Sequence, residues 1–204
     1  MPVSQTLNAR SRRTREGLLA SARSILEEQG FDALTMTAVA DHAGVTRRAV
    51  YLHFPSRADL VAALFDHVAR TEGLHESLAR VWAAPDAAAA LDEWARHLAR
   101  YHVRLLAVDR AISRVENADP DAAAHRARVS AEKLGGCRRL VQRVQEEGAL
   151  AQPWTVGAAA DMIFALSTSD VVGGLVVERG WSPDRLARHL GLLLRSTFLA
   201  ADGG

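Results

Sequence analysis

At 204 residues, 49% hydrophobic and 24% charged, the chain has the balance of an ordinary globular protein with a substantial core. No run approaches the roughly 18 apolar residues that a membrane span needs. The start, MPVSQTLNARSRR, lacks an apolar signal core, and a lone Cys137 cannot form an internal disulfide, so a cytoplasmic protein is expected. Alanine dominates, aromatics are only 5%, and no alternating Val/Ile/Thr segments appear, which predicts an all-α fold.

Charge is unevenly placed. Residues 1–57 hold eight arginines against five acidic residues, net +3, whereas the whole chain is only +1. A basic N-terminal module on a mildly acidic body suits a nucleic-acid reader with a separate second domain.

Residues 1–10 show no periodicity and are expected to form a flexible basic arm; Arg10, with Arg12, Arg13 and Arg15 just after it, can neutralise phosphates or enter a minor groove. A helix from about Ser11 or Thr14 to Gln29 follows, with Leu18, Ala22, Ile25 and Leu26 on one face and Gly30 closing it. Thr35 caps a short helix carrying Met36, Val39, Ala40 and Ala43, which Gly44 ends. Thr46 caps the next, and Val45 and Val50 are spaced for a hydrophobic staple. Ser56 with Asp59 opens a fourth helix, with Leu60, Leu64, Phe65 and Val68 inward, to about Thr71–Gly73. Helix, glycine-containing turn, helix is the plan that sets a row of side chains into the DNA major groove.

Beyond Pro85 the pattern is helix after helix. Asp86 opens one holding Leu91, Trp94, Leu98, Tyr101 and Leu105; a shorter one, Asp109 to Asn117, ends at Asn117-Ala118-Asp119-Pro120. A long helix then runs to Gly148, with Gly135-Gly136 as a candidate kink. Thr155 to Glu178 is apolar on more than one face, and Gly180 stops it. Ser182-Pro183-Asp184 starts the last helix, with Leu186, Leu190, Leu193, Leu194, Thr197 and Phe198; Ala201–Gly204 should fray.

Leu18 to Leu60, with Ala22, Gly30-Phe31, Thr35, Val39-Ala40, Ala43-Gly44-Val45, Tyr51, His53-Phe54 and Leu60, resembles the N-terminal domain of TetR-family transcriptional regulators. Arg48 stands where a small residue is usual and Arg57 where lysine is usual. The resemblance implies an N-terminal three-helix helix-turn-helix domain (residues 11–56) and a C-terminal helical effector-binding and dimerisation domain (57–204). It also implies a homodimer through the last two helices and no membrane association.

Arg47 and Arg48 open the second helix of the motif, where side chains reach base edges, and arginine suits guanine O6 and N7. Thr37 and Thr46 lie within reach of DNA, and Thr35 can cap while donating to a phosphate. Tyr51, His53 and Arg57 match family positions that commonly touch phosphates or neighbouring bases; Tyr51 can equally pack between helices. For an effector, Trp94, Tyr101 and Phe164 are candidate cavity walls, with His97, Arg114, Ser167, Thr168 and Asp170 as polar contacts. The same residues can simply face solvent or a bundle seam.

Chemistry is sparse. Eight histidines give no recurring ligand pair, and Glu72-Gly73-Leu74-His75 has no second copy, so neither metal nor other cofactor is expected. No phosphate-binding glycine loop or G-x-S-x-G elbow appears, which argues against an enzyme. The reading is a sequence-specific transcriptional regulator of a double-stranded DNA operator, a repressor released by a small-molecule effector. The alternatives are an activator or effector-independent regulator, a helical small-molecule binding protein or enzyme with a vestigial DNA module, and a nonspecific architectural DNA protein.

Overall fold

A computed structural model describes residues 3–200, with side chains from Ala9 onward. It is all-α, as expected, with eleven α-helices and two π-helical segments among the described residues. Two compact units divide it: one runs to Thr71 and includes Ala107–Arg126, the other is Glu72–Leu106 with the residues from Ala127 onward. This differs from the boundary expected at residue 56, because the fourth helix and a later segment both fold with the N-terminal helices.

In the first unit lie α1 (Val3–Gln29), α2 (Met36–His42), α3 (Arg47–His53) and α4 (Arg57–Thr71). α1 begins at least eight residues before the expected start, so residues 3–10 are helix rather than an irregular arm. These residues contain no proline or glycine to stop a helix, and Leu7, Ala9 and Arg10 favour one. The Thr14 hydroxyl already donates to the Arg10 carbonyl at 3.0 Å. Residues 1, 2 and 201–204 of the expected arm and tail lie outside the described residues. Leu18, Leu19, Ala22, Ile25 and Leu26 of α1 are buried with Phe31, Leu34, Val39, Val50, Phe54, Leu60 and Leu64.

The second unit holds α5 (Leu74–Trp82), α6 (Ala87–His97) and a π-helical turn (Leu98–His102), which leads into α7 (Val103–Ser113), a helix whose residues from Ala107 onward belong to the first unit. α8 (Pro120–Glu146), α9 (Val156–Leu166), α10 (Ser169–Gly173), a second π-helical turn (Gly174–Glu178) and α11 (Pro183–Phe198) complete the chain. α5 was not expected, since Gly73 read as a stop and provides no side-chain cap. Its spacing of Leu74, Leu78, Val81 and Trp82 is nevertheless helical.

The two helices expected between Asp86 and Asn117 instead form one run, with the π-helical turn falling inside the first of them. The run expected from Thr155 to Glu178 breaks at Ser167-Thr168 and bends by 42°. There the Ser167 and Thr168 hydroxyls donate to the Ile163 and Ala165 carbonyls at 2.6 and 2.9 Å, sharing those acceptors with their own backbone N–H groups. Gly135-Gly136 leaves α8 uninterrupted. Gly136 serves packing, since an added Cβ would stand 3.1 Å from the Trp94 ring.

α6 and α11 pack closely because Gly191 has no Cβ; one would come within 2.7 Å of Asp92. Arg195 of α11 pairs with that same Asp92. Trp94, Leu98, Cys137, Leu140, Val144, Ile163, Leu190, Leu194 and Phe198 fill the core around this contact. Cys137 is buried, and desolvation pushes its thiol up to about 12, so it is an inert core residue. No single described helix is long and apolar enough to cross a membrane.

Candidate nucleic-acid interface

The turn between α2 and α3 is fixed by local chemistry. The Thr35 hydroxyl accepts from the Ala38 N–H at 3.1 Å and the Thr46 hydroxyl from the Ala49 N–H at 3.3 Å, so both threonines cap as expected. Gly44 takes φ +65°, a left-handed conformation costly for any residue with a Cβ. Ser56 caps α4, its hydroxyl accepting from the Asp59 N–H at 3.1 Å and donating to the Asp59 carboxylate at 2.7 Å.

Val50 and Phe54 anchor α3 to the unit, and the Arg15 guanidinium lies 5.0 Å over the Phe54 ring. The helix therefore turns Arg47, Arg48, Tyr51 and Leu52 outward. Arg47 donates to the Tyr51 hydroxyl at 3.2 Å and lies 5.5 Å over its ring, which orients two long side chains before any partner arrives. Arg48 and Thr37 are exposed, and His53 is half-buried beside Phe54, with ring centroids 6.4 Å apart. Leu52 carries no motif signal in the sequence, yet it is the most exposed large apolar side chain among the described residues at 78%.

Arg57 corrects the expectation. Its guanidinium does not face outward with this row but is taken up inside the unit. Nε donates to the Leu34 carbonyl at 2.8 Å and Nη2 to the Phe31 carbonyl at 3.3 Å. Nη1 meets Asp119 at 2.9 Å and Asp121 at 3.0 Å, and the plane lies 4.6 Å over the Phe31 ring. The Asp119 carboxylate also accepts from the Asp121 and Ala122 N–H groups, capping α8 while it holds Arg57. Asn117-Ala118-Asp119-Pro120 reads in sequence as a turn signal; the partner of Asp119, 62 residues earlier, leaves no local trace.

The expected effector contacts fall into two sets. Trp94, His97, Tyr101 and Ser167 come together inside the second unit. Trp94 Nε1 donates to the Ser167 hydroxyl at 3.3 Å, His97 Nδ1 bonds Ser77 Oγ at 2.9 Å, and Tyr101 stacks on His97 with centroids 5.5 Å apart. His102, not foreseen, stands edge-on to both rings, and its buried Nδ1 has no hydrogen-bond partner. Lys133, the only lysine in the chain, donates to the Ser167 carbonyl at 3.1 Å. Burial, then the Arg100 and Lys133 charges, lower His97 to about 4; burial and the Lys133 and His97 charges hold His102 well below the usual range. Phe164 and Thr168 are half-buried. Arg114 and Asp170 are exposed, and Arg114 belongs to the other unit, which corrects their placement as contacts in an enclosed pocket. No group of three or more metal-ligating side chains occurs among the described residues.

A helix-turn-helix on an otherwise all-helical chain defines the class, and comparisons agree. Residues 18–64 match the family model described as bacterial regulatory proteins, tetR family. That match spans the helix-turn-helix and the helices on either side of it, and the chain is similar to the family there. It is 38% identical over 56 residues to the HTH-type transcriptional repressor BepR of Brucella suis, and 37% over 73 residues to the HTH-type transcriptional regulator TtgR of Pseudomonas putida. Those alignments cover 28% and 36% of this chain and only 27% and 33% of the relatives. In fold the likeness spans nearly everything. NalD, the secondary repressor of the MexAB-OprM multidrug efflux pump in Pseudomonas aeruginosa, superposes with a TM-score of 0.73 over 95% of this chain and 100% of its own, at 20% identity. The SmeT–triclosan complex superposes with a TM-score of 0.73 over 92% of each chain, at 19% identity.

Proposed function

We propose that this protein is a transcriptional repressor that binds a palindromic DNA operator as a homodimer and is released by a small-molecule effector. The observation that carries the reading is the pre-oriented Arg47–Tyr51 pair beside Arg48, presented on a capped, glycine-turned α3. Thr35, Thr37, Thr46 and His53 flank this row as backbone contacts, and Arg57 supports it from within. Selection of bound fragments from a genomic pool tests the reading. The Arg47→Ala, Arg48→Ala double variant should lose about 1–3 kcal/mol per guanine contact on the selected site and relax base preference there. A variant that keeps wild-type affinity and preference excludes this docking.

Homodimerisation is supported by apolar groups that the subunit leaves uncovered on its C-terminal helices: Met162, Leu192 and Leu193 are 46%, 57% and 45% exposed. Phe198, expected to share that surface, is instead buried against Trp154, ring centroids 4.9 Å apart. Leu193→Asp should therefore yield folded monomers that bind the operator weakly, whereas a charge at Phe198 should unfold the subunit. Sedimentation decides between them, and a wild-type monomer at micromolar concentration excludes the dimer.

The effector reading draws on the aromatic and polar cluster of Trp94, His97, Tyr101 and Ser167, with Phe164 and Thr168 nearby in sequence to Ser167 and Arg114 and Asp170 set apart. Triclosan, an aromatic compound, occupies a complex of the structural neighbour SmeT. An effector acts by favouring a conformer that fits the operator poorly, and can shift occupancy only by its differential affinity for the two states. The operator complex is its assay: an effector must dissociate it.

A further inference from the structure

Leu52 is 78% exposed in a seven-residue helix whose other outward side chains are arginine and tyrosine. Nothing in the fold uses it, since Val50 and Phe54 already anchor this part of the chain. Single exposed leucines are common on protein surfaces and usually need no explanation. This one is distinguished by its register. Arg48 and Leu52 are four residues apart and so lie on one face of α3, and Tyr51, bonded to Arg47, is its neighbour.

We infer that Leu52 reads the 5-methyl group of a thymine in the operator. The inference rests on the DNA-reading role proposed above and adds a specificity-determining residue to it. In the major groove thymine differs from every other base by an apolar methyl, which apolar side chains recognise by contact. A leucine in that groove gains from covering the methyl and cannot hydrogen-bond the polar edges of the other bases. Four residues of α-helix advance about 6 Å, close to two base steps of about 3.4 Å. The thymine should therefore lie one or two base pairs from the guanine that Arg48 contacts.

The test selects operators from a randomised pool with wild type and with Leu52→Ala, then replaces the thymine whose preference changes by deoxyuridine, which lacks only the methyl. Alanine keeps helix propensity and removes a side chain that the fold does not pack, so the variant should be as stable as wild type. Wild type should bind the deoxyuridine operator about fourfold more weakly, the worth of roughly one buried methyl-sized group. Leu52→Ala should bind the thymine and deoxyuridine operators equally and lose preference at that position alone. Unchanged preference at every position in Leu52→Ala overturns the inference while leaving the DNA-reading role intact. Equal weakening on all duplexes also overturns it, because that marks a backbone contact. Wild type without any sequence-selective binding sinks the DNA-reading role and this inference together.

Discussion

Arg57→Ala should destabilise the N-terminal unit by about 2–4 kcal/mol, because it removes the cation that two carboxylates share and one hydrogen bond from each of two backbone carbonyls. The carboxylates are Asp119 and Asp121, 20% and 28% exposed, and the carbonyls belong to Phe31 and Leu34. Partial exposure keeps the effect below that of a fully buried pair, where loss of one partner costs about 3–5 kcal/mol. Arg57→Lys should recover only part of the loss, since an ammonium cannot reach both carbonyls and both acids in one plane. Denaturant unfolding measures the stability. The salt dependence of DNA binding separates this role from a phosphate contact: a structural Arg57 leaves the slope of log K against log salt unchanged, whereas a phosphate ligand lowers it by about one. An undiminished stability with a reduced slope would return Arg57 to the DNA-facing set.

What the sequence made legible was local. The caps at Thr35 and Thr46, the left-handed Gly44 and Gly180 and the Ser182-Pro183 start are each decided within a few residues, and each stands where its chemistry required. The apolar faces of α1 and α4 were readable for the same reason, since helical spacing alone says which side is inward. What escaped was non-local or lacked a cap. α5 begins at an uncapped Gly73, and the partners of Arg57 lie more than 60 residues away in sequence. Trp94, His97 and Tyr101 could be singled out as bulky and polar groups on one helix, but Ser77 and Lys133, which reach the same cluster, come from helices with no sequence signal linking them. Arg114 and Asp170 stand exposed, a direction that charge in the sequence does not give.

Acidification should destabilise the C-terminal unit between pH 6.5 and about 5. His97 is neutral in the folded protein down to about pH 4, held there by burial and by the Arg100 and Lys133 charges, with Glu93 opposing them. An unfolded chain takes up a proton at that histidine near pH 6.5. Below that pH the unfolded state therefore binds the proton the folded state refuses, and stability falls with pH. The effect is complete near pH 4 and amounts to about 3 kcal/mol for His97. His102, pushed down by burial and the same lysine, adds in the same direction.

Glu93 titrates lower. Burial raises it, but hydrogen bonds from Arg96 and Arg100 outweigh burial and keep it below the ordinary carboxylate range. Its contribution is lost only under more acid conditions, so the window above pH 5 belongs to the histidines. His97→Gln keeps a polar group for Ser77 and cannot gain a proton. It should flatten the stability–pH curve between pH 6.5 and 5 by the His97 share, measured as the urea midpoint at a series of pH values. A wild-type midpoint that is level across that window would mean that His97 protonates within the fold at its ordinary pKa, and that the cluster is open to water.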